Sequence, residues 1–449
     1  MNEKIFFFII PVFLALSVSC SSLSPTQSGQ ATSTISTPEV FAATQTPVPT
    51  ALETPTMVQE ISQACVEIDI NNESGVSLKG VAVFNDLSQE LVNTLFLHDL
   101  ETTTTKMGAD PNSLVNFWGV SPDRKYILYE YERPAGDDSD YRLVVADVRG
   151  QVIKDFSTQF PGDPYIANYY NWQNNENIRV VLFSESQEVF RMSPRVYNPF
   201  TGDYKKLRTD FVDYVGKDIA WGLDWIALST LHMEGANIVY DQSLTRVLFP
   251  RSGDIVSLTD VETGKELASL YLPNWGRLPK WSPDGNYLSI IGTAKSNATK
   301  ASDEFYIISR DGGEFKRLTH FSNTFEQSAI ADYSWSPDGK KIVFWSYTEL
   351  GDPNAEGAQS ELMILDITTG EVTNLCIQGI SAITPLNDVV LFAQLEPIWS
   401  PDGSQIMISQ WDTTQGQNNK NYNVLVIDIP SLISVKINEN KQPAGWMTK

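Results

Sequence analysis

Beyond residue 80 the apolar positions fall in short period-two runs cut off by Gly, Pro, Asp and Asn, as in Arg142-Leu-Val-Val-Ala-Asp-Val, Ile178-Arg-Val-Val-Leu-Phe183 and Glu361-Leu-Met-Ile-Leu-Asp-Ile. Alternation of this kind places one face of a strand on a core and the other on water. Few segments carry the 3.6-residue period of a helix, so an all-β chain is predicted.

The runs are organised by one repeated unit. Trp281-Ser-Pro-Asp-Gly, Trp335-Ser-Pro-Asp-Gly and Trp399-Ser-Pro-Asp-Gly each lead into an apolar strand. A fourth copy, Val120-Ser-Pro-Asp-Arg, lacks the Gly and moves its aromatic residue to Trp118. Two degenerate copies follow Trp172 and Tyr240. Pro presets φ, Asp caps the turn and Gly takes the positive-φ position, so each copy reads as a hairpin. A second hairpin follows each one, for example Asp254-Ile-Val-Ser-Leu-Thr-Asp-Val-Glu-Thr-Gly. Four-stranded meanders recurring every ~40–70 residues are the pattern of propeller blades.

Blade counting gives six first hairpins between 117 and 410, plus an earlier strand, Gly80-Val-Ala-Val-Phe84, with a second hairpin from Thr94. That early group lacks a Trp-bearing strand, and Pro443-Ala-Gly-Trp446-Met447 is such a strand with nothing after it. Together they predict a single seven-bladed β-propeller of four-stranded antiparallel blades, closed by pairing of the two terminal segments. Six blades with a separate N-terminal hairpin is the alternative.

The tandem motif resembles the WD-like repeats of TolB-type propellers and of the propeller in prolyl-oligopeptidase-type peptidases, over about residues 80–447. The resemblance implies fold and is nearly silent on function. No Gly-x-Ser-x-Gly elbow is present to support the peptidase activity. TolB's extra α/β domain is replaced here by a Ser/Thr-rich stretch.

The N-terminus departs from this pattern. Residues 1–19 carry an apolar run of about a dozen residues, too short to span a bilayer of ~30 Å, and read as a signal peptide. Ser19-Cys20 resembles a bacterial lipoprotein cleavage site, with Cys20 the lipidated residue; Ser17 stands where the usual Leu would be. An ordinary secretory signal is the alternative. From 21 to 64 there are 16 Ser/Thr and 5 Pro with no Lys or Arg, a composition that cannot bury a core. Residues 20–64 are therefore expected to be a disordered tether, and 65–449 the propeller. The predicted location is extracytoplasmic, at the cell surface or in the periplasm, held to the membrane by lipid alone.

Charge narrows the partners. With 32 Lys plus Arg against 55 Asp plus Glu, the net charge of −23 argues against a nucleic-acid binder. Cys65 and Cys376 remain after Cys20; in an oxidising compartment they are candidates for a disulfide, two buried free thiols being the alternative. No cofactor, metal site or catalytic residue is predicted. His98, His232 and His320 lie in different repeats, and Asp137-Asp138-Ser139-Asp140 lacks EF-hand spacing. Trp281, Trp335, Trp399 and Trp446 read as packing residues between blades, and Asp284, Asp338 and Asp402 as turn caps.

Long connections are predicted on one face: 132–140, 158–169, 208–238, 271–279, 293–303, 320–333, 346–360, 377–396 and 411–422. Binding residues concentrate on such loops. The candidates are Tyr165, Tyr169, Trp275, Phe321, Tyr347, Trp411 and Tyr422, interleaved with Asp137, Asp138, Asp352 and Asp412. Aromatic residues among carboxylates suit a protein, peptide or glycan. The expectation is a monomeric, non-enzymatic binding propeller. The alternatives are a glycan hydrolase or lyase using paired carboxylates on the same face, and a TolB-like part in envelope assembly.

Overall fold

In the computed structural model, the described residues are 58–86, 94–107, 115–135, 138–157, 166–185, 189–208, 219–220, 239–250, 255–272, 277–296, 300–325, 328–348, 359–381, 396–411, 422–439 and 441–449. The signal segment, Cys20 and most of the expected tether lie outside them. The description below concerns the unit Thr50–Lys449. Among the described residues the structure is all-β apart from one 3-10 turn, Phe321–Asn323. No helix among them is long and apolar enough to cross a membrane.

The strands form six sheets, five of four or five strands and one of nine. Each is built from antiparallel meanders that are conveniently named by the aromatic residue of the first strand. The Trp118, Trp172, Tyr240 and Trp399 meanders have a sheet each. The nine-stranded sheet holds the Trp281 and Trp335 meanders, bridged by one parallel pair, Ser302 with Ser328. The remaining sheet joins the two ends of the chain. Lys441–Met447 pairs antiparallel with Val81–Asp86, Trp446 opposite Ala82, and Thr94–Asp99 and Thr104–Met107 follow.

Apolar burial occurs between successive meanders. Phe305 and Ile307 pack with Tyr333, Trp335 and Phe344; Trp345 and Leu362 pack with Trp399 and Ile406. The same holds from first to last, since Met407, Val424 and Val426 pack with Ala82, Phe84 and Trp446. The repeated form of the meanders therefore has a physical reason: neither face of a sheet is stable until a neighbour covers it.

The Ser-Pro-Asp-Gly turns are built alike. Ser282 Oγ donates to Asp284 Oδ1 at 2.6 Å, and the Tyr287 amide donates to Ser282 Oγ at 3.0 Å. Ser336 with Asp338 and Ser400 with Asp402 repeat the 2.6 Å contact. The carboxyl of Asp338 sits below the ordinary range, chiefly because the Ser336 hydroxyl donates to it. The Tyr240 copy keeps the geometry with the two residue types exchanged: Ser243 Oγ donates to Asp241 at 2.6 Å, and the Thr245 and Arg246 amides also donate to Asp241.

The repeat tryptophans add a bond between meanders. Trp335 Nε1 donates to Lys280 O at 3.1 Å and Trp399 Nε1 to Ser334 O at 3.3 Å, in each case the carbonyl just before the aromatic residue of the preceding meander. Trp446 is fully buried and donates to Lys79 O at 2.9 Å. Beside it Gly80 has φ +90°, and a Cβ there would lie 2.5 Å from Met447 O. Only glycine fits that approach.

Two expectations are corrected. Ordered structure starts before Cys65: Ile61–Gln63 adds as a parallel edge strand on Val372–Asn374, and Glu67–Asp69 does the same on Ile433–Val435. The short, largely polar sequence of 58–64 hides this because an edge strand gains backbone hydrogen bonds without needing apolar side chains. Gln59 is buried, accepting from the His320 amide and donating its own amide to Thr324 Oγ1, each at 2.9 Å. Between the two edge strands a disulfide joins Cys65 to Cys376. Secondly, parts of several expected long loops are strand. Tyr126–Ala135 pairs with Asp138–Asp147 up to Ala135 opposite Asp138, and Trp411 pairs with Tyr422. The polar sequence of 132–140 reads as a loop, yet the ladder runs into it from both sides; between Trp411 and Tyr422, residues 412–421 lie outside the described residues.

Candidate functional site

Four of the first strands share an irregularity. Their register slips between Phe117 and Gly119, Ala167 and Tyr169, Arg277 and Lys280, and Ile330 and Tyr333. A bulge at a fixed place turns the local side chains away from the ladder. These strands surround a cavity of about 770 Å³, and Asn85, Asn171, Gln242 and Gln442 are among the residues that line it. Pro122, Pro283, Pro337 and Pro401, the turn prolines, also line it, so the cavity opens on the tight-turn side.

A charge cluster borders the cavity wall. Lys280 Nζ lies 3.3 Å from Asp332 Oδ1, 3.0 Å from Glu396 Oε1 and 4.8 Å from the Tyr333 ring centroid, and donates to Tyr333 O at 2.6 Å. Lysine, aspartate and glutamate come from three successive meanders. Burial raises the Asp332 carboxyl to about 6; Lys280 opposes that rise, and Glu396, sharing the same ammonium, adds to it. Burial alone would lower Lys280, but the two carboxylates outweigh it and hold the proton on.

Arg124 is the second charged element. It occupies the turn position that is Gly285, Gly339 and Gly403 in the regular copies, with φ +62° against their +70°, +68° and +74°. Its Nη1 donates to Trp446 O at 3.3 Å and Trp399 O at 3.4 Å, and the residue lines the cavity. Burial lowers its pKa, with Glu396 acting in the opposite sense.

The loop candidates are not gathered here. Tyr165, Trp275, Asp137, Asp352 and Asp412 lie outside the described residues, as does His232. Asp138, Tyr169, Trp411 and Tyr422 are placed on strands by their backbone. Phe321 is fully buried in the core between the Trp281 and Trp335 meanders, and Tyr347 is 3% exposed. Both pack inward, because the segment around them is a 3-10 turn and a strand rather than an open loop. His98 is buried with Nδ1 2.8 Å from Thr105 Oγ1, a structural contact. Among the described residues no group of His, Cys, Asp and Glu could hold a metal ion.

Sequence reading missed Lys280, Asp332, Glu396 and Arg124. Only Arg124 left a signal, as the one arginine at a glycine position of the motif.

No family model matches the chain. The uncharacterized peptidase YuxL of Bacillus subtilis is 23% identical over 177 residues, 33% of this chain and 24% of that protein. The match thus spans about a quarter of the relative's length. Among solved structures, TolB of Acinetobacter baumannii aligns with 80% of this chain and 79% of its own, at 15% identity and a TM-score of 0.38. An oligogalacturonate lyase of Vibrio parahaemolyticus gives 80% and 86%, 12% identity and 0.45. The β-propeller domain of Cps50 from Myceliophteria thermophila gives 79% and 95%, 13% and 0.41. The site has to be argued from its own residues.

Proposed function

We propose that the chain is a lipoprotein anchored through Cys20, whose meanders form one closed seven-bladed propeller, and that this propeller binds an extended segment of a protein partner in the mouth of its central channel without chemical turnover. The pairing of Lys441–Met447 with Val81–Asp86 and the core between the Trp399 and Trp446 meanders support closure. The observation that carries the binding reading is the cavity lined by these Asn and Gln residues. Asn and Gln both donate and accept, which matches the alternating N–H and C=O of a peptide. Trp335 and Trp399 are 7% and 2% exposed and donate their indole N–H groups to backbone carbonyls, which leaves their rings unsuited to stacking on a sugar. Peptide display on the immobilised protein, with a glycan array in parallel, tests this. Peptides whose binding is weakened by Asn171→Leu and Gln242→Leu are expected; glycan hits alone would overturn it.

A catalytic reading has one observation in its favour, two carboxylates of unlike environment at one site, Asp332 with its raised pKa and the half-exposed Glu396. Against it, both are engaged by one lysine. Glu396→Gln abolishing cleavage of a defined glycan would establish it.

The anchor is tested separately. Full-length protein should partition into detergent with the membrane fraction and Cys20→Ala should not; equal partitioning would contradict lipidation.

A further inference from the structure

We infer that Arg124 is the anchor for a carboxylate of the bound segment, an inference that rests on the channel-binding reading. Three observations converge on it. Its backbone holds the left-handed conformation that three sister turns assign to glycine and the Tyr240 turn to Leu244, so this turn position accepts a side chain at a local cost. The guanidinium is held in place from two other meanders, by the Trp399 and Trp446 carbonyls. Among the described residues those hydrogen bonds use Nη1 alone, and no carboxylate lies within ion-pair distance; Glu396, which also lines the cavity, is paired with Lys280 instead.

A guanidinium that is partly desolvated, fixed in orientation and left with Nε and Nη2 to offer is suited to a carboxylate, which it can grip with two parallel N–H bonds. The neighbouring cluster does not cancel this role. Lys280 compensates one of the two adjacent carboxylates, and burial keeps Asp332 partly protonated below neutrality. The carboxylate has two sources in a peptide, an Asp or Glu side chain or the chain's own C-terminus.

The test uses the full chain in detergent micelles and three small probes. They are N-acetyl-dialanine with a free carboxylate, its neutral amide, and N-acetyl-aspartate methylamide with only a side-chain carboxylate. At least one acid is expected to bind about tenfold more tightly than the amide by NMR titration; which acid does so identifies the source. Arg124→Gly restores the regular turn, so it should melt at or above the parent temperature while the acid's advantage disappears. Arg124→Lys keeps the charge without the fork and should retain only part of it. Equal binding of acids and amide, an undiminished advantage in Arg124→Gly, or melting of Arg124→Gly well below the parent would each overturn the assignment. Displayed peptides that bind parent and Arg124→Gly alike would remove this inference and leave channel binding standing.

Discussion

In each regular turn a serine hydroxyl and an aspartate carboxylate, two residues apart, close the same small ring of hydrogen bonds, and the preceding tryptophan bonds to the meander before it. The sequence displays these residues openly because the turn needs particular side chains at particular φ values. What it hides is which residues the bulges turn inward, since a bulge depends on pairing with a partner strand and leaves no local pattern at Lys280 or Asp332. Two predictions belong at this scale. Trp335→Phe keeps the packing but strips donors from Lys280 O and Ser289 Oγ, at 3.1 and 2.9 Å, and should lower stability in urea by about 1–3 kcal/mol. Trp281→Phe, which loses a 3.5 Å contact with Val239 O, should cost less. The Asp332 carboxyl, raised to about 6 when folded against an ordinary value near 3.8, binds a proton more readily in the native state. Its contribution therefore favours the fold below pH 4 and fades as pH rises to 6, the reverse of an acid whose pKa is held down by its partner. Carboxyl-carbon NMR should show its midpoint near 6, and a midpoint near 4 would contradict the burial argument.

Among the elements, the alternation of apolar residues located the strands well and their ends poorly. The 126–147 hairpin and the strands meeting at Trp411 and Tyr422 run into polar sequence and stay paired there along the backbone ladder. The edge strands at 61–63 and 67–69 were invisible for the same reason, and they matter mechanically. The segment leading from the expected tether lies along the outer edges of two meanders and is fastened between them by the Cys65–Cys376 disulfide. Covering edges in this way removes unpaired N–H and C=O groups that would otherwise template association. The bridge spans 311 residues of sequence, so its loss should cost a few kcal/mol in a chain-entropy account. The Cys65→Ser, Cys376→Ser double variant should melt lower than the parent and exchange the amides of 61–69 much faster. Unchanged exchange there would mean the edge strands hold without the bridge.

Across the whole molecule, the repeat made the antiparallel meanders legible, and the orphan strand at Trp446 pointed to its partner near Gly80. Closure is also supported by the last residues beyond that strand. The Thr448 amide donates to Arg124 O at 3.0 Å, and Lys449 Nζ lies 2.8 Å from Asp99 and 3.0 Å from Glu101. The Lys449 contact, helped by the Thr102 and Glu101 amides and opposed by slight desolvation, holds Asp99 down at about 2. That stabilisation is complete above the unfolded value near 3.8 and is lost as pH falls towards 2, so Lys449→Gln should be less stable than the parent at pH 7, with the difference shrinking as pH falls through this window. A melting curve at pH 3 compared with pH 7 checks it.

The central claim is that one chain closes on itself through its final strand, so that the bulged first strands can enclose a single binding cavity. Calorimetric melting of a chain ending at Gln442 tests it most directly. That truncation removes Trp446, whose burial alone is worth about 3–5 kcal/mol, and exposes the Val81–Asp86 edge. The account predicts melting many degrees below the parent, with aggregation, while the much larger deletion of 21–57 leaves the melting temperature unchanged. A truncated chain that melts with the parent would contradict closure and return the chain to six blades with a separate N-terminal hairpin.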